Sequence, residues 1–169
     1  DGANTQLTGP ITNESGGIIT AGNDAFDVYT SSTISGAITN EVGGTIEAGN
    51  DAFDVDTSST ISGAITNRGT ITATNDAFDV DDNSDISGNI TNSGTITAGD
   101  DVFWVDDASD ISGGITNEVG GTITATDDAF DVDDNSDISG GVVNSGIITA
   151  TDNAFEVETN SDISGGVTN

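Results

Sequence analysis

Carboxylates are the only ionisable side chains in this sequence numerous and regular enough to do chemistry. The 169 residues hold thirty Asp and Glu against one basic residue, Arg68, with no His, Cys or Met, and the formal charge is −29. The acids recur in a fixed phrase. Asp-Ala-Phe-Asp-Val occupies residues 24–28, 51–55, 76–80 and 128–132, with variants Asp101-Val-Phe-Trp-Val105 and Asn153-Ala-Phe-Glu-Val157.

In an extended chain, alternate residues face the same way. Asp54 and Asp56, Asp79 and Asp81, Asp106, Asp131 and Asp133, and Glu156 and Glu158 then share an outward file. The loops that follow add Asp82, Asp85, Asp107, Asp110, Asp134, Asp137 and Asp162. Carboxylates stacked one strand apart repel by about 1 kcal/mol per pair in water. Paying that cost at every repeat calls for a counterion. Calcium suits the site because it accepts about six to eight oxygen ligands in flexible geometry, whereas magnesium holds to fewer fixed ligands and keeps its water. The aspartates of both groups, from Asp54 to Asp137, form a candidate calcium ladder. The alternative is a solvated acidic face with diffuse counterions.

Composition excludes other chemistries. Without Cys there is no disulfide framework and no thiolate metal site. Phosphate recognition needs clustered Lys and Arg, so nucleic acid is not an expected partner. No apolar run approaches the roughly 20 residues that span a bilayer. Polysaccharide cleavage requires a base or electrophile, or an acidic pair set apart by irregular loops. Here the carboxylates repeat and the turns are uniformly short, so catalysis is the weakest reading.

The elements that must position these acids are set by internal repetition. The tripeptide ending in Asn closes at Asn13, Asn40, Asn67, Asn92, Asn117, Asn144 and Asn169, at intervals of 27, 27, 25, 25, 27 and 25 residues. The two-residue difference falls where Asn40-Glu-Val-Gly-Gly-Thr alternates with Asn67-Arg-Gly-Thr, which marks a loop. Within a repeat, Ile34, Gly36 and Ile38 share one parity, Ile46 and Ala48 a second segment, and Phe53 and Val55 a third. Apolar alternation of this kind means short strands with one wet face. The expected fold is all-β, a right-handed parallel β-helix of about six coils of 25–27 residues with three short strands each. Residues 1–169 form one solenoid domain, about 30 Å long at roughly 4.8 Å per coil.

Register then assigns columns. Phe26, Phe53, Phe78, Phe103, Phe130 and Phe155 stack inside. The recurrent Asn is expected at a corner, bonding both to turn peptides and to the Asn of the next coil. Asp51 and its equivalents are expected to tie another corner.

The phrase Ile90-Thr-Asn-Ser-Gly-Thr-Ile-Thr97, echoed at Asn67-Arg-Gly-Thr-Ile-Thr72 and Asn144-Ser-Gly-Ile-Ile-Thr149, resembles repeats of autotransporter passenger domains and related bacterial surface adhesins. The resemblance implies export to an extracellular or cell-surface location and a role as stalk, adhesin or filament. It implies contact with a host or cell-surface glycan or protein. The sequence starts inside one repeat and stops directly after another, which suggests a section of a longer chain or a subunit that associates end to end.

Two further surfaces are candidates. Thr70-Ile-Thr72, Thr95-Ile-Thr97 and Thr122-Ile-Thr124 resemble the Thr-x-Thr rows of ice-binding solenoids, although Ile18, Glu47 and Ile147 interrupt the rows. Trp104 and Tyr29 are outward aromatics that could stack on a sugar ring.

Overall fold

The structure, a computed structural model, describes residues 4–169. Among the described residues there are strands and turns and no helix, and so none long and apolar enough to cross a membrane. Among the described residues the chain winds about seven times; the last turn adds a single strand, Val167–Thr168, and six coils each lay one strand in each of four sheets. In one coil these are Thr60–Ile61, Ile65–Asn67, Thr70–Ala73 and Phe78–Val80, in sheets designated A to D. Sheet B has seven strands and the others six. Pairing is parallel and joins each residue to its counterpart one repeat on, as in Ile65↔Ile90 and Phe78↔Phe103. The parallel β-solenoid read from the sequence is the observed fold.

Each coil has four strands, however, where three were expected. The run from Ile34 to Ile38 bends between two sheets, at Gly36 and its equivalents. A Cβ on Gly63 would lie 2.0 Å from the Gly36 carbonyl oxygen of the preceding coil. The Ile34 carbonyl accepts both Ser62 N–H at 2.9 Å and Gly63 N–H at 3.2 Å, so two successive amides converge on one acceptor. That convergence turns the chain. Parity hid the corner because the residues on either side of it still point inward.

The interior consists of the expected columns. Phe53, Phe78, Phe103 and Phe130 are wholly buried, and consecutive rings along the column stack at centroid separations of 4.7–4.8 Å. Their planes differ by only 3–11°. Neighbouring strands in ordinary sheets are rotated by about 20–25°. The coils are therefore laid over one another with little rotation.

Asn side chains form the ladder the sequence implies. Asn67 Nδ2 donates to Asn92 Oδ1 at 2.9 Å and to the Thr95 carbonyl at 3.0 Å, and Asn40 repeats this on Asn67 at 2.8 Å. Asn40, Asn67, Asn92 and Asn117 are buried with these bonds made. The variable loop lies directly beyond. In long coils it is a turn closed by Gly44 N–H to the Glu41 carbonyl at 2.8 Å, with Gly43 at φ 79°.

Between sheets D and A the chain reverses through two successive left-handed residues, as in a type I′ turn. Thr57 and Ser58, Asp82 and Asn83, Asp107 and Ala108, and Asp134 and Asn135 all have positive φ. The second amide of each pair donates to the first residue's carbonyl in the next coil, as from Ala108 to Asp134 at 3.1 Å. Inter-coil bonding thus holds a conformation that costs an L-residue about 1–2 kcal/mol.

Two substitutions test these corners by denaturant midpoint. Gly88→Ala, which drives a methyl into the Gly63 carbonyl at 2.1 Å, should destabilise by more than about 2 kcal/mol. Ala108→Gly, at φ 62°, should raise stability by up to about 1 kcal/mol.

Candidate metal centre

Sheet D carries the acidic file. The outward residue of each of its strands pairs in register, giving Asp27, Asp54, Asp79, Trp104, Asp131 and Glu156. Strand alternation sends Phe78 and Val80 inward and leaves Asp79 on the outer face. A second column follows the strand. Asp56, Asp81, Asp106 and Asp133 donate their amides to the Val28, Val55, Val80 and Val105 carbonyls at 3.0–3.1 Å, so the ladder continues beyond the strand end. Asp82, Asp107 and Asp134 occupy the exposed left-handed turn beside them.

A third column is formed by the aspartates that stand two residues before a phenylalanine. Asp51, Asp76, Asp101 and Asp128 are buried, and each carboxylate accepts the amide of its counterpart in the next coil. Asp51 Oδ1 takes Asp76 N–H at 2.9 Å and Asp76 Oδ1 takes Asp101 N–H at 2.8 Å. The other oxygen is held by the preceding side chain in two of these coils. Asn50 donates to Asp51 at 2.6 Å and Asn75 to Asp76 at 2.9 Å. Asp100 and Asp127 replace those Asn residues in later coils. This column ties the corner, as its spacing suggests.

The columns converge. Oxygens of Asp51, Asp76 and Asp79 lie within 4.8 Å of one another, as do those of Asp54, Asp56 and Asp81 and those of Asp106, Asp133 and Asp134. Asp24, Asp51 and Asp54, and Asp100, Asp101 and Asp127, make further groups. Calcium–oxygen bonds of about 2.3–2.6 Å place opposed ligands about 5 Å apart. The triplets therefore fit an oxygen-ligated ion of that size. Sequence reasoning missed Asp24, Asp51, Asp76, Asp100, Asp101 and Asp127 as members of such groups. The signal was present in the Asp-x-x-Asp spacing, which brings the corner carboxylate of one coil onto the strand carboxylate of the next.

Electrostatics at the corner are unrelieved. Asp56 Oδ1, Asp79 Oδ1, Asp81 Oδ1 and Asp106 Oδ1 are shut off from solvent without a hydrogen-bond donor. Desolvation first, then repulsion from Asp81, Asp51, Asp54 and Asp76, pushes Asp79 up to about 9. The same causes raise Asp54 to about 7, and Asp81 and Asp131 to about 6. Burial also takes Asp76 and Asp101 to about 7 against the opposing pull of their amide bonds. Arg68 relieves none of this, because it pairs with Glu41 at 3.3 Å beside the Asn corner.

Asp85, Asp110 and Asp137 are set apart from that corner. They pair in register on sheet A, beyond the left-handed turn. Asp85 is also partnered, accepting the Ser112 hydroxyl at 2.9 Å. Tyr29 lies beside a small hollow at the first coils with Leu7, Val28 and Ile34, away from Trp104.

In-register columns, four parallel sheets and a near-invariant coil define a parallel β-solenoid repeat protein. No protein-family model matches the chain, and no curated protein or solved structure matches it.

The raised carboxyls set a pH dependence. Asp79 binds its proton more tightly folded, at about 9, than at the ordinary value of 3.8. Its contribution to stability is full below about pH 4 and is lost as pH rises through about 9. Urea midpoints in a chelator at constant ionic strength should fall from pH 5 to pH 9. Asp79→Asn should flatten the upper part of that decline.

Proposed function

We propose that this chain is a cation-braced structural segment of a secreted or surface-displayed bacterial protein, acting as an adhesive stalk or filament element. The observation that carries the reading is the acidic corner. Its carboxylates are in register, four of their oxygens are buried without donors, and the one basic side chain is engaged elsewhere. Such a file is a liability in water of low ionic strength and an asset where a divalent ion is abundant. Extracellular calcium modules operate at dissociation constants of about 0.1–1 mM.

Calcium is the ion that fits the triplets, through Asp51, Asp76 and Asp79, through Asp54, Asp56 and Asp81, and through Asp106, Asp133 and Asp134. Bound there, it neutralises adjoining coils and links them, since each triplet draws on two successive repeats. Asp82, Asp107 and the outer file from Asp131 add charge that concentrates cations at the surface. The rod shape and the repeats' resemblance to passenger domains support the stalk reading. Repetition suits a spacer because stability grows with the number of stacked interfaces.

The test is thermal. At constant ionic strength, melting temperature should rise from chelator to excess calcium, and sodium matched for ionic strength should not reproduce the rise. An unchanged melting temperature sinks the calcium brace. Trp104, the only tryptophan, lies in register between Asp79 and Asp131 and provides a local readout. Terbium, a hard oxygen-seeking ion like calcium, should luminesce on excitation of Trp104. Excess calcium should quench that emission, and Asp79→Asn should weaken it.

A further inference from the structure

Sheet C presents a face unlike the rest of the molecule. Thr70 and Thr72, Thr95 and Thr97, and Thr122 and Thr124 pair in register as two parallel columns across three coils. Thr45 and Thr149 extend the columns by one coil in opposite directions. In a chain with thirty acids, Glu47 is the one carboxylate on the outward positions of this sheet, and Ile18 and Ile147 stand exposed at its margins. Among the described residues, none of the six central hydroxyls bonds to another protein group.

The face is also rigid. The alternate residues Ile46, Ile71, Ile96 and Ile123 are 1% exposed and lock the sheet to the core. Threonine is stiff at χ1. Phenyl planes that turn by only 3–11° between coils show that the columns run straight along the solenoid. The result is a fixed grid of hydroxyls and methyls repeating at about 4.8 Å from coil to coil.

Each hydroxyl can donate one hydrogen bond and accept two. Each methyl restricts the orientations of the water over it. Water oxygens bonded at about 2.7–2.8 Å in a tetrahedral network have second neighbours about 1.6 times as far away, roughly 4.5 Å. A grid within roughly 0.3 Å of that repeat, without charges to impose their own hydration, can hold water in positions that continue such a lattice. Protein partners are recognised through aromatic and Arg anchors, while Ser and Thr contribute little. This face offers no such anchor.

We infer that the threonine face of sheet C binds ice. The water anchored between the two columns joins the growing crystal, and the exposed carboxylates on other faces keep the remainder of the rod in liquid.

The test uses the calcium-loaded chain in a nanolitre freezing assay, with ice-crystal shape and thermal hysteresis as readouts. Faceted crystals and a hysteresis gap are expected for the native sequence. Thr97→Lys, in the centre of the grid, should abolish both while leaving the melting temperature unchanged. Thr91→Lys, on the outward side of sheet B, should leave both intact. Round crystals and no gap for the native chain would overturn the inference, as would full activity in Thr97→Lys. Retention on insoluble cellulose without any effect on ice would equally overturn it, by assigning the face to a neutral polysaccharide.

Discussion

Every paired strand residue in this solenoid sits about one strand spacing from its own counterpart in the next coil, and the choice of side chains follows from that constraint. A group is stable in a column only if it tolerates contact with itself. Phenyl rings do, by stacking at 4.7–4.8 Å. Carboxamides do, because each carries a donor and an acceptor, and Asn67 receives from Asn40 while giving to Asn92. Carboxylates do not. The chain resolves this in one column by feeding each buried Asp a backbone amide, as from Asp101 to Asp76. In the outer file this is only partly met, since Asp133 accepts the Asp134 amide and Glu156 the Asn153 side chain while Asp56, Asp79, Asp81 and Asp106 each keep a buried oxygen without a donor.

Columns could be read from the sequence, while corners could not. Phe53 and Phe78 lie 25 residues apart with the same flanking residues, so their stacking follows from period alone. The Asn ladder followed likewise, since an amide at a fixed corner has few partners but its neighbours. The bend at Gly36 and Gly63 was hidden because it preserves the inward parity of Ile34 and Ile38, and what enforces it is the close approach of a carbonyl in another coil. The acidic corner was half visible. Asp54, Asp56, Asp79 and Asp81 were evident as an outward file, but Asp51 and Asp76 read only as a corner tie, and their approach to Asp79 depends on the in-register stacking of successive Asp-x-x-Asp pairs. Asp85 and Asp110 share the composition of the file and lie on a different sheet, a distinction set by the left-handed turn between them.

The molecule thereby separates its chemistry by face. Sheet D and the turn after it hold the concentrated charge, and sheet C is almost free of it. Trp104 is the exception on the acidic side. It stands in register beside Asp79, the carboxyl that burial and neighbouring aspartates push highest, to about 9.

The direction of the inter-coil bonds carries a mechanical consequence. Because amides such as those of Ile65 and Phe78 reach along the stack to the next coil, tension applied between the two ends pulls on these bonds lengthwise. Coils then peel away singly, each rupture freeing some 25 residues, or roughly 80–90 Å of slack, from a rise of about 4.8 Å. A solenoid built this way lengthens under tension by increments of that size.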